Sequence, residues 1–150
     1  MQRGGLSGDH ITSIARKCPN LRKLEITKAR IITWPTVCMP RLKELIMLSP
    51  HCGSEMFKNV ELHLVLPHLE TMHVFLHPGG QMWLPDLTRN LKLREVRLDG
   101  GGTYQVQIYQ EGTVPFPLHL KKLSCWAQSF GLTKQQIRNY YKNSDCKLDI

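Results

Sequence analysis

Apolar residues recur along this chain in one spacing, Leu-x-x-Leu-x-Ile or a close relative of it, five times. The copies are Leu21-Arg22-Lys23-Leu24-Glu25-Ile26, Leu42-Lys43-Glu44-Leu45-Ile46-Met47, Leu69-Glu70-Thr71-Met72-His73-Val74, Leu93-Arg94-Glu95-Val96-Arg97-Leu98 and Leu120-Lys121-Lys122-Leu123-Ser124-Cys125. Their leading leucines stand 21, 27, 24 and 27 residues apart. Within each copy the step of two is the strand period, which puts both side chains on one face, and the step of three marks the entry of the chain into the strand. A single strand of this kind cannot bury its apolar face. Strands stacked about 4.8 Å apart can, because they share hydrogen bonds and one core. In three copies a proline, Pro19, Pro40 or Pro67, stands two residues before the first leucine. Leu148 and Ile150 follow Leu123 and Cys125 by 25 residues and predict a truncated sixth copy.

The connections between copies read unevenly. Residues 10–18 predict a short helix with Asp9 as its cap and Ile11, Ile14, Ala15 and Cys18 along the inner side. Thr133 to Asn143 is the clearest helix, capped by Thr133, with Ile137, Tyr140 and Tyr141 as its apolar stripe and Gly131 just outside. Residues 27–39, with Trp34 beside Pro35, predict extended packing. Residues 50–66 allow either a helix from Ser54 to about Glu61 or a strand over Val60-Glu61-Leu62-His63-Leu64. Pro78-Gly79-Gly80 predicts a turn, and Leu84 to Leu91 a helical turn begun near Pro85. Gly100-Gly101-Gly102 ends the fourth strand, and Tyr104 to Tyr109 alternates like an added strand. No Gly-x-x-x-x-Gly-Lys accompanies the glycines, so a flexible turn is the reading and a phosphate loop is not.

These clusters resemble leucine-rich repeat proteins, whose period is roughly 20 to 29 residues, and most closely the cysteine-containing, F-box-associated type. Cys18-Pro19-Asn20-Leu21-Arg22-Lys23-Leu24 and Met39-Pro40-Arg41-Leu42-Lys43-Glu44-Leu45 carry the likeness, which spans roughly residues 10 to 150. The resemblance implies an α/β fold: a short solenoid, a horseshoe arc of five to six repeats with a parallel sheet on its concave face. It also implies a non-enzymatic protein-interaction module, with a role in presenting targets to a ubiquitin ligase. The family commonly places Asn or Cys three residues after the last strand leucine, where this chain has Ala29, Pro50, His77, Gly101 and Gln128. Irregular turns are expected there.

With 150 residues, residues 1–150 make one domain able to bury about 70% of its unfolded surface. An arc this short needs capping, and the Gly-rich residues 1–8 offer little; they are expected to be poorly ordered, and the chain to be a piece of a longer solenoid or to rest on a partner or on its own copy. The five cysteines, Cys18, Cys38, Cys52, Cys125 and Cys146, are odd in number, sit at or beside core positions and form no Cys-x-x-Cys. They read as buried free thiols of a reducing compartment. Without a signal-like start or an apolar run near eighteen residues, a cytoplasmic or nuclear location is expected, with no membrane partner.

The formal net charge of +8 keeps a polyanion in consideration, but the charges are dispersed, and a solvated basic face or an acidic partner explains them as well. A basic nucleic-acid-binding module is the alternative function. It would need Arg22, Lys23, Lys28, Arg97 and Lys122 to dominate the sheet, where Glu25, Glu44, Glu95 and Asp99 dilute them.

No catalytic residue, cofactor or small-molecule substrate is indicated. His63, His68, His73 and His77, with His51-Cys52 upstream, are spaced like metal ligands, but strand register separates His68 from His73 and no converging set of four emerges. No cysteine has an orienting base and carboxylate at hand. What the register does predict is a surface, because the residues between the leucines face outward. They are charged at the flanks and apolar in the centre, where Ile46, Leu48, His73 and Phe75 should lie on adjacent strands, with Arg97 beside them and Trp126 two strands from Phe75. These six residues are the candidate partner-binding set. The other possibility is that irregular connections or a neighbouring domain cover them.

Overall fold

The computed structural model describes residues 5–6, 8–27, 30–31, 34–48, 56–106 and 113–150. In chain order the elements are β1 (Gly5–Leu6), α1 (Gly8–Lys17), β2 (Lys23–Thr27), β3 (Arg30–Ile31), β4 (Glu44–Leu48), α2 (Leu62–Val65), β5 (Thr71–Phe75), β6 (Gln81–Leu84), β7 (Glu95–Asp99), β8 (Thr103–Val106), β9 (Lys122–Ser124), a 3-10 turn (Ala127–Phe130), α3 (Lys134–Tyr140) and β10 (Lys147–Asp149). The chain is α/β, with few helices and an open, parallel main sheet of six strands in the order β10-β9-β7-β5-β4-β2. β1 with β3, and β6 with β8, form two small parallel pairs.

All six strands of the main sheet come from the recurring cluster, and they pair copy on copy. Leu24, Leu45, Met72, Val96, Leu123 and Leu148 align across the sheet, so the truncated sixth copy is a strand in register with the fifth. The four inner members of that row are fully buried, whereas Leu24 and Leu148, on the edge strands, are only partly so. Ile26, Met47, Val74 and Leu98 make a second buried row, and Leu42, Leu69, Leu93 and Leu120 a third at the strand entries. Each deeply buried leucine of this kind contributes roughly 2 kcal/mol through apolar burial.

α1 rests on the core through Ile11 and Ala15, with Ile14 half-buried. Asp9 lies inside its first turn, where its charge suits the helix dipole, rather than ahead of the helix as a cap. α3 starts as expected: the Thr133 side chain accepts from the Gln136 amide at 3.1 Å while the Gln136 side chain accepts from the Thr133 amide at 2.8 Å. Ile137 and Tyr141 are buried beneath it.

Several connections differ from the sequence reading. α2 begins at Leu62, later than Glu61, and excludes the strand alternative; the proposed start at Ser54 lies outside the described residues. Leu84 to Leu91 is not helical, because Asp86 accepts from both the Thr88 amide (2.9 Å) and the Thr88 hydroxyl (2.6 Å), closing a local turn instead. The added strand expected over Tyr104 to Tyr109 is present as β8 over Thr103–Val106, with residues 107–109 outside the described residues, and its parallel partner β6 is one that the alternation of Gln81 to Leu84 alone does not distinguish. Among the described cysteines only Cys125 is buried; Cys18 and Cys38 are exposed and Cys146 is intermediate. Cys18 opens a tight turn at the surface, which takes it off the inner side of α1.

Gly100 explains why the fourth strand ends where it does. Its φ is +100°, and a Cβ built there would stand 2.2 Å from the Leu76 carbonyl oxygen. Leu76 lies in the neighbouring copy, donates to the Asp99 carbonyl at 2.9 Å and accepts from the Gly102 amide at 3.2 Å. Only glycine lets the two backbones meet this closely.

Candidate interaction surface

Alternation along each strand leaves three rows of side chains on the face opposite the core. The first is Lys23, Glu44, Thr71, Glu95, Lys122 and Lys147, the second Glu25, Ile46, His73, Arg97, Ser124 and Asp149, and the third Thr27, Leu48, Phe75 and Asp99. In the first row opposite charges sit next to each other: Lys23 Nζ is 3.7 Å from Glu44 and Lys122 Nζ is 3.8 Å from Glu95. Exposed pairs of this sort contribute under about 1 kcal/mol each. Their larger effect is to leave that row almost neutral.

The second and third rows hold the centre. Ile46 faces His73 across the β4–β5 ladder, and Leu48 faces Phe75. All four side chains are half-buried. The Phe75 ring meets His77 edge to face, with centroids 5.7 Å apart. Next to this apolar square stands a polar knot on β7: Asp99 Oδ2 accepts from Arg97 Nε at 2.7 Å and lies 3.2 Å from His73 Nε2. Charge-assisted bonds to one carboxylate fix three side chains from two strands in place.

Beyond Asp99 the surface dips into a groove of about 370 Å³ lined by Asp99, Ser124, Trp126, Gln128, Lys134 and Asp149. Trp126, 62% exposed, stands on its rim just ahead of the 3-10 turn. Ser124 donates to Asp149 across the β9–β10 ladder at 3.4 Å. Cys125 lies beneath, buried, and that burial, with the Asp149 charge second, pushes its thiol up to about 12. A thiol held protonated is a poor nucleophile and a poor metal ligand.

Four of the six candidate residues, Ile46, Leu48, His73 and Phe75, form one contiguous square on β4 and β5, with Arg97 adjoining it through Asp99. Trp126 is apart from the square; Asp99, directly across from Phe75, connects them by also lining the groove. Asp149, Gln128 and Lys134 belong to this region and are absent from the candidate partner-binding set read from the sequence. The signal for Asp149 was available: Leu148 repeats Leu123, so Asp149 occupies the outward position of Ser124.

The described histidines are dispersed; His51 and Cys52 lie outside the described residues. His68 Nδ1 is 2.7 Å from the Pro40 carbonyl at the strand entries, His73 is in the polar knot, and His63 lines a groove of about 420 Å³ with Asn59, Glu61, Asp86 and Arg89. Among the described residues no three His, Cys, Asp or Glu side chains are grouped as metal ligands, and no described helix is long and apolar enough to cross a membrane. No family model, curated protein or solved structure matches the chain.

Proposed function

We propose that the chain is a short leucine-rich repeat solenoid that binds a protein partner on its concave sheet, with no catalytic step of its own. The observation that carries this reading is the half-buried square of Ile46, Leu48, His73 and Phe75, in register on adjacent strands and bordered by charge. A sheet face that has only to be wet favours polar side chains. Apolar and aromatic residues ringed by charge are the arrangement in which protein interfaces concentrate their binding energy. The ordered Arg97–Asp99–His73 knot supports the reading further, since preformed polar groups beside an apolar anchor lose little freedom on binding.

The likeness to the F-box-associated type gives the proposal a narrower form, in which the bound protein is a target presented to a ubiquitin ligase from a cytoplasmic or nuclear site. The test is affinity capture with the wild-type chain and with Ile46→Asp, each with a melting temperature. The proposal expects the variant to lose its captured protein at unchanged melting temperature. Capture equal to that of the wild type, or a collapse in melting temperature, contradicts it.

A further inference from the structure

The five strand entries share one turn. In each, the first leucine donates its amide to the carbonyl three residues back: Leu21 to Cys18, Leu42 to Met39, Leu69 to Leu66, Leu93 to Asn90 and Leu120 to Pro117, at 3.1 to 3.3 Å. The second position of such a turn favours proline, whose φ is preset, and the first three copies use Pro19, Pro40 and Pro67. The last two place Leu91 and Leu118 there, 76% and 55% exposed. The turn has no need of leucine at this position. Since β7 and β9 are neighbours, the two leucines crown adjacent turns.

Cations surround them on the same edge. At the third turn position and the position after each leading leucine stand Arg22, Arg41, Lys43, Lys92, Arg94 and Lys121, all exposed. The carboxylate among these positions, Glu70, is engaged by Lys43 at 3.9 Å. Over these ten positions six cations less one carboxylate give a net +5, and exposed Asp145 at the entry to β10 lowers the sum along the edge to +4. Arg22, Pro40, Arg41, Lys43 and His68 there line a groove of about 290 Å³.

Against the dispersed charge and the absence of a membrane partner expected from the sequence, we infer from this arrangement that the strand-entry edge docks on an anionic bilayer surface, with Leu91 and Leu118 entering the interfacial layer and the flanking cations meeting lipid phosphates. Exposed apolar tips combined with a basic rim are what such a surface rewards. A nucleic-acid backbone would use the cations but gives the leucines no role. A peptide is held in a groove or along an open strand edge, whereas these leucines top tight turns. The docking edge is separate from the partner-binding square, so a chain seated on the bilayer keeps its sheet face free.

The full chain should co-sediment with vesicles of phosphatidylcholine and phosphatidylserine, and far less with phosphatidylcholine alone. The double variant Leu91→Ser/Leu118→Ser is expected to lower vesicle affinity by about tenfold, from the lost apolar burial. Arg94→Glu/Lys121→Glu should lower it at least as much, while Ile46→Asp leaves it unchanged. Melting temperatures accompany each measurement; if one double variant unfolds, the other decides. Failure of the wild-type chain to sediment with anionic vesicles overturns the inference. So does equal sedimentation of a folded double variant, or tighter binding to a single-stranded oligonucleotide that the leucine substitutions leave untouched.

Discussion

Leu48 lies directly across the β4–β5 ladder from Phe75, and neither side chain is fully buried. Their immediate strand neighbours, Met47 and Val74, are wholly buried from the other face. One step along the strand therefore separates residues that hold the fold from residues on the opposite, half-open face. Leu45→Ala or Met72→Ala should cost roughly 2 to 5 kcal/mol by opening a cavity, a cost the outward-facing neighbours do not carry.

Gly100→Ala should destabilise the fold by roughly 2 kcal/mol or more, because the new Cβ meets the Leu76 carbonyl in a left-handed backbone conformation. Gly79→Ala is the matched control. Gly79 is also left-handed, with φ of +83°, but a Cβ there has nothing within 4 Å, so only the backbone cost of about 1 kcal/mol applies. Urea unfolding of both variants measures the difference; equal losses would mean the contact with Leu76 contributes nothing.

Thr133→Ala should cost about 1 kcal/mol, since it removes the acceptor of the Gln136 amide and breaks the reciprocal cap of α3. Thr133→Ser, which keeps the oxygen, should restore most of it. A loss that serine fails to recover would point to the methyl group instead of the hydrogen bond.

Alkaline pH should weaken the protein. Burial raises the Cys125 thiol from its ordinary value of 9.0 to about 12, and burial raises the Tyr141 phenol in the same direction. The folded state therefore holds these protons more tightly than the unfolded chain. The Cys125 contribution is fully present below pH 9 and is lost as pH rises through about 12. Each such group gives a slope of up to about 1.4 kcal/mol per pH unit in that window. Denaturant titrations from pH 8 upward should show the decline, and Cys125→Ala should make it shallower; an unchanged slope would show that the thiol takes no part.

The main sheet was legible in the sequence because its signal is repeated: Leu-x-x-Leu-x-Leu states strand, inner face and register at once, and five copies reinforce one another. Even β10 followed from Leu148 standing 25 residues beyond Leu123. The outward rows followed as their complement, which is why the Ile46–His73 and Leu48–Phe75 pairs could be anticipated. The connections were less legible because each occurs once. The helical turn expected over Leu84 to Leu91 gave way to the Asp86–Thr88 bonds, and Val60 to Leu64 alternates like a strand but holds the start of α2. Cys18 and Cys38 read as core yet are exposed, since proximity in sequence to a core position does not decide the direction of a side chain in a turn. Exposure of Leu91 and Leu118 could not be read from composition at all; it depends on their falling at the second position of the shared turn.

Phe75→Ala provides the most direct measurement of the proposed binding face, made as a paired determination of partner capture and melting temperature on the same preparation. Phe75 is half-buried and Asp99, its partner across β5–β7, remains bonded to Arg97. The expected result is capture reduced by tenfold or more, the loss of about 1.4 kcal/mol or more typical of an interface anchor, with the melting temperature changed by no more than a few degrees. Undiminished capture, or unfolding in place of lost binding, would place Phe75 outside the interface and contradict the assignment.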